Sequence, residues 1–141
     1  PLLPEGTIMT LREKNGHETV YSSDADMIDL PLAVLIDDQS ISAAEFFAAA
    51  LQEYERATLV GTHTTGKGRA QRTYALSDGS AVNLSVEEYS TPKAKSLPHT
   101  GIAPDIEPTL PDEQTANFYF LGTDGDPQLT RAVSVVQGAE K

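Results

Sequence analysis

Apolar residues change their spacing several times along this chain, and each change predicts an element. Thr7-Ile8-Met9-Thr10-Leu11-Arg12 alternates apolar and polar side chains, the period of a half-buried strand. Asn15-Gly16 is a hairpin turn signal, and Glu18-Thr19-Val20-Tyr21 returns as the second strand. Ser22 to Met27 is polar and reads as a loop. Leu32-Ala33-Val34-Leu35-Ile36 is a continuous apolar run, which predicts a strand covered on both faces. The period then becomes helical. Ala43 to Tyr54 is rich in Ala, Leu, Phe and Glu, and Phe46, Phe47, Ala50 and Leu51 recur on the face expected to meet the core. Ala57-Thr58-Leu59-Val60 follows as a short buried strand, so strand, helix and strand predict a right-handed parallel crossover. Gln71 to Leu76 and Ala81 to Tyr89 read as strands around the turn Ser77-Asp78-Gly79-Ser80. Proline-punctuated loops cover Thr91 to Pro111. Asp126-Pro127 opens a last helix whose apolar stripe is Leu129, Ala132, Val133 and Val136.

A chain of 141 residues suits one domain with a substantial core. Its hydrophobic content of 39% and charged content of 22% are those of a soluble globular protein. The formal charge of −11 argues against a nucleic-acid partner, which would need a basic footprint. No apolar run is long enough for a membrane span, and no signal-peptide pattern is present. The chain opens on Pro1, and its only methionines are Met9 and Met27, so we read it as a processed product or a piece of a longer protein. Without cysteine there is no disulfide or thiolate chemistry. His17, His63 and His99 lack ligand-like spacing and read as loop or surface residues; neither a metal nor another cofactor is expected.

Two junctions carry candidate chemistry. Ser42 lies where the apolar strand gives way to the alanine-rich helix, and a serine at such a turn can hold its hydroxyl beside the free N–H groups of a helix start. Lys67 lies in Gly61-Thr62-His63-Thr64-Thr65-Gly66-Lys67-Gly68, directly after the next strand. A lysine stripped of part of its hydration becomes available as a neutral base. Bland alternatives exist for both. Ser42-x-x-Glu45 is a capping box, and Lys67 can be a solvated lysine in a flexible turn. Gly61-x-x-x-x-Gly66-Lys67 also fits the start of a phosphate-binding loop. Gly68 then stands where a magnesium-binding Ser or Thr belongs, and the segment that follows reads as strand where that loop must open a helix. A binding or scaffold module without chemistry is compatible with the composition.

Several runs, taken together, resemble the carboxyl-terminal processing (tail-specific) proteases. They are Pro31 to Ile36, Ser40-Ile41-Ser42-Ala43-Ala44-Glu45, Arg56 to Gly61, Thr65-Gly66-Lys67-Gly68 with Gln71, Leu76 to Ser80, Tyr89-Ser90-Thr91-Pro92 and Gly101-Ile102-Ala103-Pro104-Asp105-Ile106. Asp126-Pro127-Gln128-Leu129 is also similar to the family's ending. The resemblance implies an α/β fold, part of a crotonase/ClpP-like protease core with a parallel strand-helix-strand unit and additional β-strands. Residues 1–111 would be the C-terminal part of that core, and 112–141 an extension with the terminal helix. It implies a Ser-Lys dyad: Ser42 as nucleophile, Lys67 as general base and Gln71 orienting the lysine. The Ala43 N–H would donate to the oxyanion, and Glu45 would cap the helix rather than contact Lys67. Substrates would be the C-terminal tails of proteins or peptides.

Asp37-Asp38-Gln39 departs from the family pattern, which usually has Asn or Glu and then Gly there. The family's N-terminal helical region, PDZ domain, and upstream strand and glycine-rich loop do not precede Pro1. That loop supplies the second oxyanion donor, so the isolated piece is expected to be weakly active or inactive. Its exposed sheet edge would favour homodimers. The parent is expected to be extracytoplasmic. A non-catalytic peptide- or ligand-binding module on the same fold is the alternative.

Overall fold

The structure, a computed structural model, describes residues 2–109 and 125–138. Its elements are β1 (Gly6–Glu13), β2 (Glu18–Ser23), β3 (Ala33–Ile36), α1 (Ala43–Glu53), β4 (Thr58–Gly61), β5 (Arg69–Ala75), β6 (Ala81–Ser90) and α2 (Pro127–Val136). The expected boundary at residue 111 lies outside the described residues.

Two sheets form. The first is antiparallel in the order β2-β1-β6-β5, and both of its hairpins turn where Gly16 and Gly79 take positive φ (88° and 87°). The second pairs β3 and β4 in parallel, Ala33 opposite Thr58 through Ile36 opposite Gly61. The chain returns beside β4 at Ile106, whose carbonyl accepts the Gly61 N–H at 3.0 Å. Strands in parallel register need a crossover, and α1 supplies it.

α1 is held by burial along one side. Phe46, Ala48 and Ala49 pack with Ile36, Leu59, Leu97 and Ile102, and Phe46 stacks on Tyr89 of β6 with ring centroids 4.1 Å apart. Leu51 and Ala50 meet Leu3, Ile8 and Leu32 in a second cluster. Leu51 and Leu59 are almost fully buried, each contributing roughly 1.5–3 kcal/mol.

Three burial expectations are corrected. Phe47 is 49% exposed, because the step from Phe46 turns it past the sheet. Leu35 is 43% exposed, so β3 is not covered on both faces; its inward residues are Val34 and Ile36. In α2 the buried residues are Gln128 and Ala132, while Val133 and Val136 are exposed. The helix is therefore rotated from the stripe that apolarity predicts, with Asp126 capping it by accepting from the N–H groups of Gln128 and Leu129.

Candidate active site

Between β3 and α1 the chain makes an Asx-type turn. Asp37 Oδ1 accepts the Gln39 N–H and the Ser40 hydroxyl, both at 3.0 Å, and the Ser40 N–H closes onto the Asp37 carbonyl. The unusual Asp37-Asp38-Gln39 segment thus forms an ordered turn. Ser42 follows with φ 59° and ψ −116°, a conformation that costs a non-glycine residue about 1–3 kcal/mol.

As N-cap of α1, Ser42 forms a capping box with Glu45, in which the Glu45 side chain accepts the Ser42 N–H and the Ser42 hydroxyl oxygen faces the Glu45 N–H without a full capping bond. The N–H that it would cap, that of Glu45, bonds instead to the Ser42 carbonyl at 2.9 Å. Among the described residues the Ser42 hydroxyl donates to no partner. Ala43 occupies the first helical position, and its N–H is one of the donors that no turn of α1 can satisfy.

Lys67 arrives by a loop that close backbone packing defines. Gly61 ends β4 with φ 139°, and a Cβ there would lie 1.8 Å from the Ile36 carbonyl oxygen. The loop is tied to the turn before Ser42. Thr65 donates its N–H to the Ser40 carbonyl at 3.4 Å and its hydroxyl to the Asp38 carbonyl at 2.5 Å. β5 starts at Arg69, so the residues after Lys67 form strand, and the phosphate-loop alternative lacks its required helix.

The two junctions converge on Glu45, whose side chain has 0% exposure. Its Oε1 accepts the Thr64 hydroxyl and the Gly66 N–H, both at 2.6 Å. Its Oε2 accepts the Ser42 N–H at 2.9 Å and the Lys67 N–H at 2.8 Å. Burial pushes this carboxyl up; the hydrogen bonds from Thr64, Gly66, Ser42 and Lys67 outweigh it and hold its pKa below the ordinary glutamate value. Glu45 therefore does contact Lys67, through the main chain rather than the ammonium.

The side chains of the expected dyad are not joined. Lys67 is exposed, and among the described residues no hydrogen bond links its ammonium to the Ser42 hydroxyl. Gln71, in β5 beside a bulge, accepts from the Asn83 amide at 3.1 Å and makes no bond to Lys67. A cavity of about 600 Å³ lies elsewhere, between the ends of α1 and α2, and is lined by Gln52, Arg56 and Val135. Thr64 is the site residue that sequence reasoning missed. Its position before Thr65-Gly66-Lys67 was visible, but a bond to a carboxylate in another element has no local signal.

Residues 1–108 match the description Peptidase family S41. A carboxyl-terminal-processing protease of Synechocystis is 34% identical over 96% of this chain and 31% of its own length. Carboxyl-terminal-processing peptidase 3, chloroplastic, of Arabidopsis thaliana is 38% identical over 96% of this chain and 25% of its own. The solved photosystem II D1 C-terminal processing protease superposes with a TM-score of 0.73 at 34% identity, over 91% of this chain and 34% of that structure. The chain thus spans about a third or less of the length of these relatives. With the strand-helix-strand unit, the serine at the helix start and the glycine-framed lysine in place, the chain belongs to peptidase family S41.

Proposed function

We propose that the protein carrying this chain is a serine endopeptidase of the carboxyl-terminal processing type, acting on protein C-terminal tails through Ser42 and Lys67. The observation that carries this reading is the Glu45 carboxylate, which binds the main chain of both residues. One buried anion thereby sets the spacing between the main chains of Ser42 and Lys67. The strained backbone of Ser42 supports the same assignment, since strain of this kind persists where the surrounding structure over-determines it.

The chemistry is acyl transfer. Neutral Lys67 takes the Ser42 proton as the hydroxyl attacks the peptide carbonyl, and returns it to the leaving amine. The Ala43 N–H, with the N-terminus of α1 behind it, donates to the oxyanion. Gln71 orients the amine by accepting one of its N–H groups at the amide oxygen, without adding charge and without occupying the lone pair that takes the proton. For these steps the Lys67 side chain must turn toward Ser42, a rotamer change in an exposed side chain. The parent works outside the cytoplasm, and the isolated chain is weakly active or inactive.

Fluorophosphonate labelling of the natural full-length protein, with the modified residue located by mass spectrometry, tests this. Modification at Ser42 that is lost in Lys67→Ala supports the dyad. A folded protein that stays unlabelled, while the probe reacts with other serine hydrolases, favours a non-catalytic peptide-binding module.

A further inference from the structure

The Lys67 loop is gripped from a second side by Leu97 to Ile102, a segment with no assigned role. Its ends are rooted in the main core, Leu97 3% and Ile102 6% exposed, and between them the N–H groups of Thr100 and Gly101 fold back onto the Leu97 carbonyl. The tip lies against the loop backbone to backbone. The His99 N–H donates to the Gly66 carbonyl at 2.9 Å, and the Thr64 N–H to the Ile102 carbonyl at 3.1 Å. The Ile102 N–H donates to the Thr64 hydroxyl at 2.8 Å, and that hydroxyl donates in turn to Glu45.

The fit leaves no room for side chains at three glycines. A Cβ on Gly101 would sit 2.5 Å from the Thr64 carbonyl oxygen, one on Gly66 2.7 Å from the Gly101 nitrogen, and one on Gly68 2.2 Å from Pro98 Cδ. Gly101 also has φ +60°, and His99 takes φ 65° although it has a side chain. Strained backbone closing on Gly66 and Gly68, the two neighbours of Lys67, is what would fix the point from which the lysine side chain projects.

We propose that Pro98 to Gly101 is a strap that positions Lys67, with Gly101 as the positioning residue through which it acts. The proposal rests on the Ser42–Lys67 reading above. Glu45 binds the Lys67 N–H, and the strap binds the Gly66 carbonyl and packs on Gly68. A displacement of about 1 Å in a catalytic group is enough to cost on the order of a hundredfold in rate.

The test is Gly101→Ala in the natural full-length protein, followed by cleavage of a tail peptide across pH. The expected result is a fall in kcat of at least tenfold with KM within twofold, and a rising limb of kcat displaced to higher pH as the lysine loses its fixed place. Gly79→Ala is the control. Gly79 has φ +87° but nothing within 4 Å of its Cβ position, so it carries a comparable backbone penalty away from the loop and should leave kcat and the limb unchanged. Should Gly101→Ala not fold, Pro98→Ala removes the ring packed on Gly68 without requiring a positive φ. It should move the limb in the same direction by a smaller amount. A folded Gly101→Ala or Pro98→Ala protein with the wild-type limb and kcat overturns the strap. If cleavage by the wild type survives Lys67→Ala, the dyad reading fails instead, and the two failures are distinct.

Discussion

The Glu45 carboxylate meets Lys67 at its main-chain N–H, 2.8 Å away, while the same oxygen takes the Ser42 N–H at 2.9 Å. A carboxylate against the ammonium would favour the charged lysine and oppose its use as a base. Accepting from main-chain groups instead lets one buried anion order both junctions. The charge of Glu45 is spent on four donors, and the lysine side chain remains free to move.

Glu45→Gln should therefore be destabilising. An amide offers one acceptor oxygen, and its nitrogen opposes the donors on the other side, leaving at least two buried N–H or O–H groups unmet. The expected loss is roughly 3 kcal/mol at neutral pH, measured by denaturant unfolding. The charge also predicts a pH dependence. Because the folded pKa is lowered, the stabilisation is present above the ordinary glutamate value of about 4.3 and is lost as pH falls through the folded value. Wild-type stability should drop over that acid window, and the Gln variant should show a shallower slope there. Equal slopes would place the acid sensitivity in other carboxylates.

Ser42→Gly separates stability from activity. Glycine tolerates φ 59° and ψ −116° without the steric cost that serine bears. The variant should gain about 1 kcal/mol in unfolding free energy, after allowing for the added freedom of its unfolded chain, and lose all peptide cleavage. A less stable variant would show that the serine conformation is not strained.

Lys67→Ala should lower tail cleavage by a factor on the order of 10² to 10⁴, the usual worth of a general base. It should change stability by less than about 0.5 kcal/mol, because the exposed side chain makes no hydrogen bond or ion pair among the described residues. Retention of full cleavage would remove Lys67 from the base role.

Gln71 gives a sharper contrast. Its amide oxygen accepts from Asn83 across the strand pair and keeps a second lone pair that an N–H of the lysine amine can reach. Gln71→Ala should lower kcat by roughly ten- to a hundredfold, and Asn83→Ala, which only loosens Gln71, by less. Unchanged kcat in Gln71→Ala would end the orienting role.

The isolated chain should self-associate. Within the described residues β3 pairs on one side only, and Leu35, Ile41 and Phe47 are exposed close to it in sequence. Sedimentation should report a mass that rises across the micromolar range; a monomer throughout that range would contradict it.

Local patterning decided much of this protein. The alternation in β1, the glycine turns at Gly16 and Gly79, the apolar runs of β3 and β4 and the helical period of α1 each report a nearest-neighbour requirement, and each element lies within two residues or so of where the pattern puts it. The helix start at Ser42 and the glycine-framed turn at Lys67 were legible for the same reason, since each has a signature in a few consecutive residues. The family, too, was readable from ordered runs along the chain. What the sequence could not decide is relational. Whether Phe47 faces the core depends on where the sheet ends beneath α1, and the rotation of α2 depends on how that helix sits on β3 and β4. That Glu45 joins Ser42 to Lys67, and that Gly101 closes against Thr64 and Gly66, are contacts between segments far apart in sequence. Apolar period records only that a residue is to be buried; which polar atoms meet inside is settled when the crossover brings the segments together and every buried donor must find an acceptor.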